Sequence, residues 1–360
     1  MNHSSLNEIL SHFQVDARIA PYGNGHINDP DVAEGGSRYI LQRINTKIFK
    51  DPARLMQNIE AVTAHLRGKI EAAGGDVKRE TLTVIPTYTG SLFYTAPNGE
   101  AFRVYPFIED TVTLEMAEVP SQLFEVGKAF GKFQMLLSDF PADKLYETIP
   151  DFHNTPVRVE NLKQAIKDDV FGRAAYVKNE IDFALTYSKK YADCVTKHIK
   201  TGEIPLRVTH NDTKINNILL DKKTGAGVCV IDLDTVMPGS LLYDFGDALR
   251  TGAATAAEDE RDLNLVHMHL AFYKAFAEGF LTECAACLTE KEKELLPLSP
   301  ILLTYECGIR FLEDFLRGDT YFKIHRKEQN LDRARTQFKM VCDMEEKLSE
   351  MQTITQNILK

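Results

Sequence analysis

The chain has 360 residues, 44% of them hydrophobic and 26% charged, enough for a buried core and too balanced for a disordered or collagen-like polymer. Its formal net charge of −10, with no run of lysine or arginine to offset it, excludes general attraction to nucleic-acid backbones or anionic membranes. Any phosphate bound here is therefore expected to be held by a local site.

The opening MNHSSLNEIL lacks the charged-then-apolar plan of a secretory signal, and no apolar run reaches the roughly 18 residues of a membrane span. Six sparse cysteines, mostly among apolar neighbours, suit reduced thiols, so a cytoplasmic protein is expected. Cys284-Ala-Ala-Cys287 has no second ligand pair, and His267-Met-His269 has a spacing that splays apart on a helix, so neither is read as a metal site.

Ser5 and Glu8 form a capping-box pattern ahead of Leu6, Ile9, Leu10 and Phe13, which predicts a short opening helix. A small β-hairpin region follows between Tyr22 and Ile44, with Tyr39-Ile40-Leu41 as its apolar strand. Asp51-Pro52 then caps a helix whose face is Leu55, Met56, Ile59, Val62 and Leu66, ending at Gly74-Gly75. Strands are predicted at Thr81–Pro86, Leu92–Thr95 and Ala101–Ile108. Beyond Glu109 helical periodicity dominates, near 121–138, 158–172, 179–200, 258–282, 300–317 and 330–358. One interruption holds short strands at Arg207–Thr209, Ile218–Leu220 and Val228–Leu233. There is no internal repeat.

That interruption carries the chemistry. His210-x-Asp212, with Asn217 five residues after the aspartate, is the spacing by which kinase-like folds set a carboxylate against an acceptor hydroxyl and an amide against a metal. Downstream, the apolar run Val228–Ile231 delivers Asp232 and Asp234, an arrangement suited to chelating a cation on nucleotide phosphates. Lys214 stands where a cation would neutralise charge on the moving phosphoryl group. Gly23 and Gly25, in Gly-Asn-Gly-His-Ile-Asn, could let backbone amides approach phosphate oxygens, although any tight hairpin uses such residues.

Together, His210-Asn211-Asp212 with Asn217, Ile231-Asp232-Leu233-Asp234 and Tyr243-Asp244-Phe245-Gly246-Asp247 resemble the aminoglycoside-phosphotransferase/choline-kinase superfamily. Longer strings, including Pro21-Tyr22-Gly23-x-Gly25-His26-Ile27-Asn28, Met237-Pro238-Gly239-Ser240 and Gly308-x-Arg310-Phe311-Leu312, resemble the N-acetylhexosamine kinases within it, nearly end to end. The resemblance implies an α+β, protein-kinase-like two-lobed fold, with a sheet-bearing nucleotide lobe over 1–106 and a mainly helical catalytic lobe over 107–360.

It also implies transfer of a phosphoryl group from ATP to the anomeric hydroxyl of N-acetylglucosamine or N-acetylgalactosamine, with Asp212 as base or orienting carboxylate and Asn217 and Asp232 holding Mg²⁺. Adenine would lie along Arg103–Ile108, reaching Phe107 and Ile108, and His26, Asp234, Arg310 and Tyr321 would face the sugar. The sequence departs from the superfamily at Gln42, where most relatives carry a phosphate-binding lysine; Arg43 could substitute through a local twist, or the pair expected with Glu60 is absent. In the second departure, Pro30, Gly35 and Gly36 predict a short or frayed second strand.

Overall fold

The computed structural model describes residues 3–19 and 31–360, and the chain divides into two compact units, each gathered from separate stretches. The first takes Met1–Thr113, Asp139–Pro150 and Ile218–Pro238; the second takes Leu114–Ser138, Asp151–Asn217 and Gly239–Lys360.

In the first unit, helix α1 (His3–Leu10) is followed by strands β1 (Ala17–Ile19), β2 (Asp31–Gly35), β3 (Arg38–Ile44), β4 (Tyr94–Thr95) and β5 (Ala101–Pro106). They form one antiparallel sheet in the order β1-β2-β3-β5-β4. Helix α1 starts at His3, so Ser5 lies within it rather than capping it. Strand β2 pairs on both sides, with β1 and with β3. The glycine counted against this strand is what permits the pairing: a Cβ on Gly35 would sit 2.1 Å from the carbonyl oxygen of Asp16.

Strand β5 is buried from Ala101 through Tyr105, as expected of a strand covered on both faces. Phe102 and Val104 join Leu41, Ile9, Leu10 and Phe13 in one apolar cluster. Residues of opposite parity face helix α2 (Pro52–Ala72), so Gln42 and Arg103 share that face with Met56. Asp51 accepts from the N–H groups of Ala53 and Arg54 at 3.1 Å, with Pro52 in the first turn, and Gly74 follows the helix at φ 75°. The predicted strand at Thr81–Pro86 reduces to one bridge, Ile85 to Val104, because the short helix α3 (Val77–Glu80) takes up the approach and Pro86 has no N–H for a ladder.

A second sheet of this unit joins β6 (Thr111–Val112), β8 (Ile218–Asp221) and β9 (Gly227–Val230), whereas β7 (Arg207–Thr209) belongs to the second unit. The strand predicted over Val228–Leu233 stops at Val230. Asp232 then takes a left-handed conformation, φ 57°, and opens a 3-10 turn over Leu233–Thr235.

The second unit is helical: α4 (Pro120–Leu136), α5 (Thr155–Asp168), α6 (Lys178–Tyr191), α7 (Thr196–Lys200), α8 (Leu241–Gly252), α9 (Leu270–Cys284), α10 (Glu290–Leu295), α11 (Ser299–Leu316), α12 (Gln329–Glu346) and α13 (Leu348–Ile358). The segment predicted over 179–200 breaks into α6 and α7, and 330–358 divides at Lys347. The helix predicted from 258 begins only at Leu270, because a 3-10 turn at Leu263–Leu265 and a bridge from Ala254 to Met268 precede it. Helix α8 was not predicted at all. Its Asp244, Asp247 and Arg250 are buried alongside its apolar residues, so polar character does not mark its solvent face.

Among the described residues, one stretch, Glu290–Leu316, is long and apolar enough to cross a membrane, and 78% of its scored window is buried in the fold, as in a core helix. Helices α4 and α9 meet through glycines. A Cβ on Gly127 or Gly131 would lie 2.3 Å from the carbonyl oxygens of Phe276 and Phe280, and one on Gly279 would lie 2.1 Å from that of Phe124.

Backbone cannot move aside as a side-chain tip can, so Gly279→Ala is expected to destabilise the protein by about 1–3 kcal/mol in urea unfolding. Gly68 in α2 has nothing within 4 Å of its Cβ position, so Gly68→Ala is expected to stabilise by up to about 1 kcal/mol. Effects of the same sign at the two positions would refute the close α4–α9 approach.

Candidate active site

The loop from His210 to Asn217 leaves β7 inside the second unit, and a single carboxylate gathers its first residues. Asp244, buried on α8, accepts from the backbone N–H of His210 at 2.9 Å and of Asn211 at 2.8 Å. Gln134 of α4 donates to the same carboxylate at 2.7 Å and to the carbonyl of Val208 at 3.1 Å, which joins strand, loop and helix. Thr213 extends the arrangement: its hydroxyl donates to the Asp244 carbonyl at 2.7 Å and its N–H to Asp247 at 3.0 Å. Burial works against ionised Asp247, but Arg250, Lys214 and His153 hold its carboxyl below the ordinary range. Asn211 adopts φ 65°, a conformation that persists only where neighbours hold it.

A second support comes from below. His153 lies 2.7 Å from Glu306 of α11 through Nδ1 and 3.3 Å from the Asn211 carbonyl through Nε2. Glu306 is fully buried; desolvation raises its pKa, and His153, Arg310 and the Thr155 hydroxyl at 2.5 Å outweigh that and hold it below the ordinary value.

Asp212 is half-buried, with Lys214 Nζ 2.9 Å from its carboxylate. Desolvation works against the lysine's charge, but the Asp212 carboxylate and its hydrogen bond outweigh it and hold Lys214 above its ordinary value. Asn217 donates its amide N–H to the Asp212 carbonyl at 2.8 Å. A carbonyl can only accept, so the amide oxygen of Asn217 is turned the other way, as a cation ligand requires. The structure thus brings Asp212, Lys214 and Asn217 together in one unit.

Asp232 and Asp234 belong to the first unit. Asp232 is exposed in the turn after β9. Its carboxylate and the amide oxygen of Asn217 are hard oxygen donors of the kind Mg²⁺ accepts when phosphates complete the shell. Among the described residues no cluster of three His, Cys, Asp or Glu side chains could hold a metal ion by itself. Asp234 is paired with the guanidinium of Arg103, a contact that its sequence role as a sugar ligand does not anticipate.

Arg43 does not replace the missing strand lysine: it shares a face with Leu41 and ion-pairs with Glu100 at 2.6 Å, its side chain 44% exposed. The pairing of β3 with β5 runs without a register shift through Gln42 and Arg43, so the two stay on opposite faces, and the polar partner of Gln42 is Arg103. Glu60 pairs with Arg67 at 2.8 Å. Phe107 donates its N–H to the Arg38 carbonyl at 2.9 Å and its ring lies under the Arg38 guanidinium, while Ile108 is buried and its carbonyl accepts from Thr111 at 2.8 Å. Gly23, Gly25 and His26 lie outside the described residues.

In the second unit Arg310 lies one helical turn beyond Glu306, its guanidinium 5.1 Å from the ring of Phe152, 5.5 Å from Phe322 and 6.0 Å from Tyr321. Asp314 accepts from the N–H groups of Thr320, Tyr321 and Phe322 at 2.8–2.9 Å, so the loop bearing Tyr321 is fixed while its ring stays exposed. Phe152, Phe322, the pairing of Arg103 with Gln42 and Asp234, and the scaffold role of Asp244 escaped sequence reasoning. Only Asp244 carried a signal, within the Tyr243–Asp247 string.

An asparagine has one acceptor oxygen where Asp244 has two, so Asp244→Asn leaves one buried N–H of the loop without an acceptor. The variant is expected to lose about 1–3 kcal/mol in urea unfolding, with turnover falling by at least roughly tenfold as the loop relaxes. Wild-type stability and turnover in the variant would refute the scaffold role.

Over residues 19–282 the sequence matches the phosphotransferase enzyme family. The structure is similar to that of a microcompartment-associated aminopropanol kinase, TM-score 0.59 at 14% identity, covering 98% of this chain and 99% of that one. It is also similar to an aminoglycoside phosphotransferase from Alicyclobacillus acidocaldarius subsp. acidocaldarius, 0.59 at 12% identity over 97% and 96%. A choline kinase from Cryptosporidium parvum Iowa II gives 0.57 at 12% identity over 98% of each chain. At such identities the likeness concerns the fold, which is kinase-like and α+β as the sequence led one to expect. With a matched stretch that includes the loop around Asp212 and the turn at Asp232, the chain belongs to the phosphotransferase enzyme family, as a kinase acting on a small molecule.

Proposed function

We propose that the protein is a cytoplasmic, ATP- and Mg²⁺-dependent sugar kinase that phosphorylates the anomeric hydroxyl of N-acetylglucosamine or N-acetylgalactosamine. Asp212 aligns the hydroxyl and receives its proton as the oxygen attacks the γ-phosphorus in line, while the bond from that phosphorus to the β–γ bridging oxygen breaks and ADP leaves. Lys214 offsets charge on the phosphoryl oxygens. Asn217 and Asp232 are the assigned ligands for Mg²⁺, which when bound neutralises the phosphates of the nucleotide. Phe107 and Ile108 are assigned to the adenine, Gly23 and Gly25 to the phosphates, and His26, Asp234, Arg310 and Tyr321 to the sugar.

The observation that carries the acceptor class is the charge of the aromatic cluster at Arg310. Arg158 donates to the Phe152 carbonyl at 2.9 Å and Arg310 lies over the Phe152 ring, so two guanidiniums meet at one residue; burial and the Arg310 charge lower the pKa of Arg158, while Glu306, Tyr321 and Glu313 act the other way. Choline and aminopropanol, named for two of the structural relatives, carry a cationic amine, to which the Arg310 guanidinium offers no acceptor. A neutral sugar is compatible with it: the rings cover apolar C–H faces, and the guanidinium donates to hydroxyl or N-acetyl oxygens.

With ATP and Mg²⁺, the expected outcome in a panel of N-acetylglucosamine, N-acetylgalactosamine, glucose, galactose, choline and an aminoglycoside is preferential turnover of the N-acetylhexosamines to an acid-labile anomeric phosphate. Preference for choline or the aminoglycoside would overturn the assignment. Asp212→Asn is expected to cut kcat by about 10²–10⁴-fold, as loss of a positioned base does. Arg310→Ala is expected to raise KM for the sugar while leaving KM for ATP unchanged.

A further inference from the structure

The ladder sets Gln42 directly opposite Arg103, on the face of the sheet turned to α2. Arg103 is 1% exposed, and its guanidinium is fully engaged along one edge: Nε and Nη2 donate to Gln42 Oε1 at 3.1 and 2.8 Å. From the other side Nη1 pairs with the carboxylate of Asp234. Met56 of α2 and the ring of Tyr105 close the surroundings. Burial works against its charge, while Asp234, Tyr105 and Asp232 hold it above the ordinary arginine value.

A buried ion pair contributes little net stability, because desolvation offsets most of the attraction, but it does impose geometry. Here the geometry falls on a turn that needs it. Asp234 lies in the 3-10 turn Leu233–Thr235, and the residue that caps its start, Asp232, is held at φ 57° and ψ 58°. A non-glycine residue there is strained and persists only where its surroundings over-determine it. The guanidinium is too enclosed to serve an entering phosphate directly, so its effect must pass through the carboxylate it holds.

We infer that Arg103 is a positioning residue in which the cation absent at Gln42 has been transferred across the ladder to β5, where its pair with Asp234 locks the turn that presents Asp232. The inference rests on the assignment of Asp232 as a metal ligand. It also gives Gln42 a purpose, since the amide oxygen orients the fork of Arg103 toward Asp234. Arg43, on the opposite face and paired with Glu100, plays no part in it.

The test is calorimetric binding of ADP with and without Mg²⁺ to the full chain. Arg103→Met and, separately, Asp234→Asn are each expected to reduce the enhancement of ADP affinity by Mg²⁺ about tenfold, with metal-free ADP binding changed less than about twofold. Adding Gln42→Lys to Arg103→Met returns an ammonium from the facing position and is expected to recover most of the enhancement. A purely structural Arg103 would weaken both kinds of binding alike and gain nothing from the lysine; that result overturns the inference. If Arg103→Met does not fold, Asp234→Asn, on the partly exposed partner, decides the matter, and an undiminished enhancement there overturns it as well. Asp232→Asn separates the two levels: an unchanged Mg²⁺ enhancement in that variant defeats the metal assignment itself, whereas loss there with none in Asp234→Asn defeats only the role of Arg103.

Discussion

Two backbone N–H groups at the head of the His210–Asn217 loop point the same way, and a buried loop cannot leave such donors without acceptors. Asp244 answers both at once, and only a carboxylate has two oxygens to do so while also accepting from Gln134. The left-handed Asn211, the course of the chain into Asp212 and the seat of Thr213 all depend on that anchor. His153 and Glu306 brace the same peptide from α11, so the helix carrying Arg310 is mechanically joined to the loop carrying Asp212. A shift of either helix would be felt at the Asp212 carboxylate, which is how a fold made of helices can hold an irregular loop to a fixed geometry.

The first unit solves a different problem, that of keeping a charge inside a sheet. Arg103 is tolerated because Gln42 and Asp234 divide its donors between them, and both partners are supplied by the alternation of strands and the turn after β9. Arg43, one residue from Gln42, sits on the opposite face for the same reason of period two and has become a surface ion pair. Position along a strand, rather than nearness in sequence, decides which cation is buried.

Much of this was legible in the order of residues. Asp51-Pro52 announced α2 through a cap and a proline whose effects are local, and the interval from Asp212 to Asn217 announced the loop because both side chains act within one short turn. Boundaries were less legible where tertiary contacts compete with periodicity, as at Lys347 between α12 and α13 and before Leu270. Helix α8 escaped because its aspartates are buried as acceptors, and no hydrophobic pattern distinguishes a polar residue that faces water from one that faces a backbone amide.

The sequence by itself determined a globular chain with strands early and helices late, a loop with phosphoryl-transfer spacing and an acidic strand end, since spacing, caps and turn chemistry are properties of neighbouring residues. Only the tertiary structure decided that Gly35 and Gly279 mark close backbone approaches, that Asp244 carries the loop, and that the buried strand cation is Arg103. Each of those facts joins residues tens to more than a hundred positions apart or reads space outside the chain, and no local pattern encodes which distant carboxylate or carbonyl will arrive there.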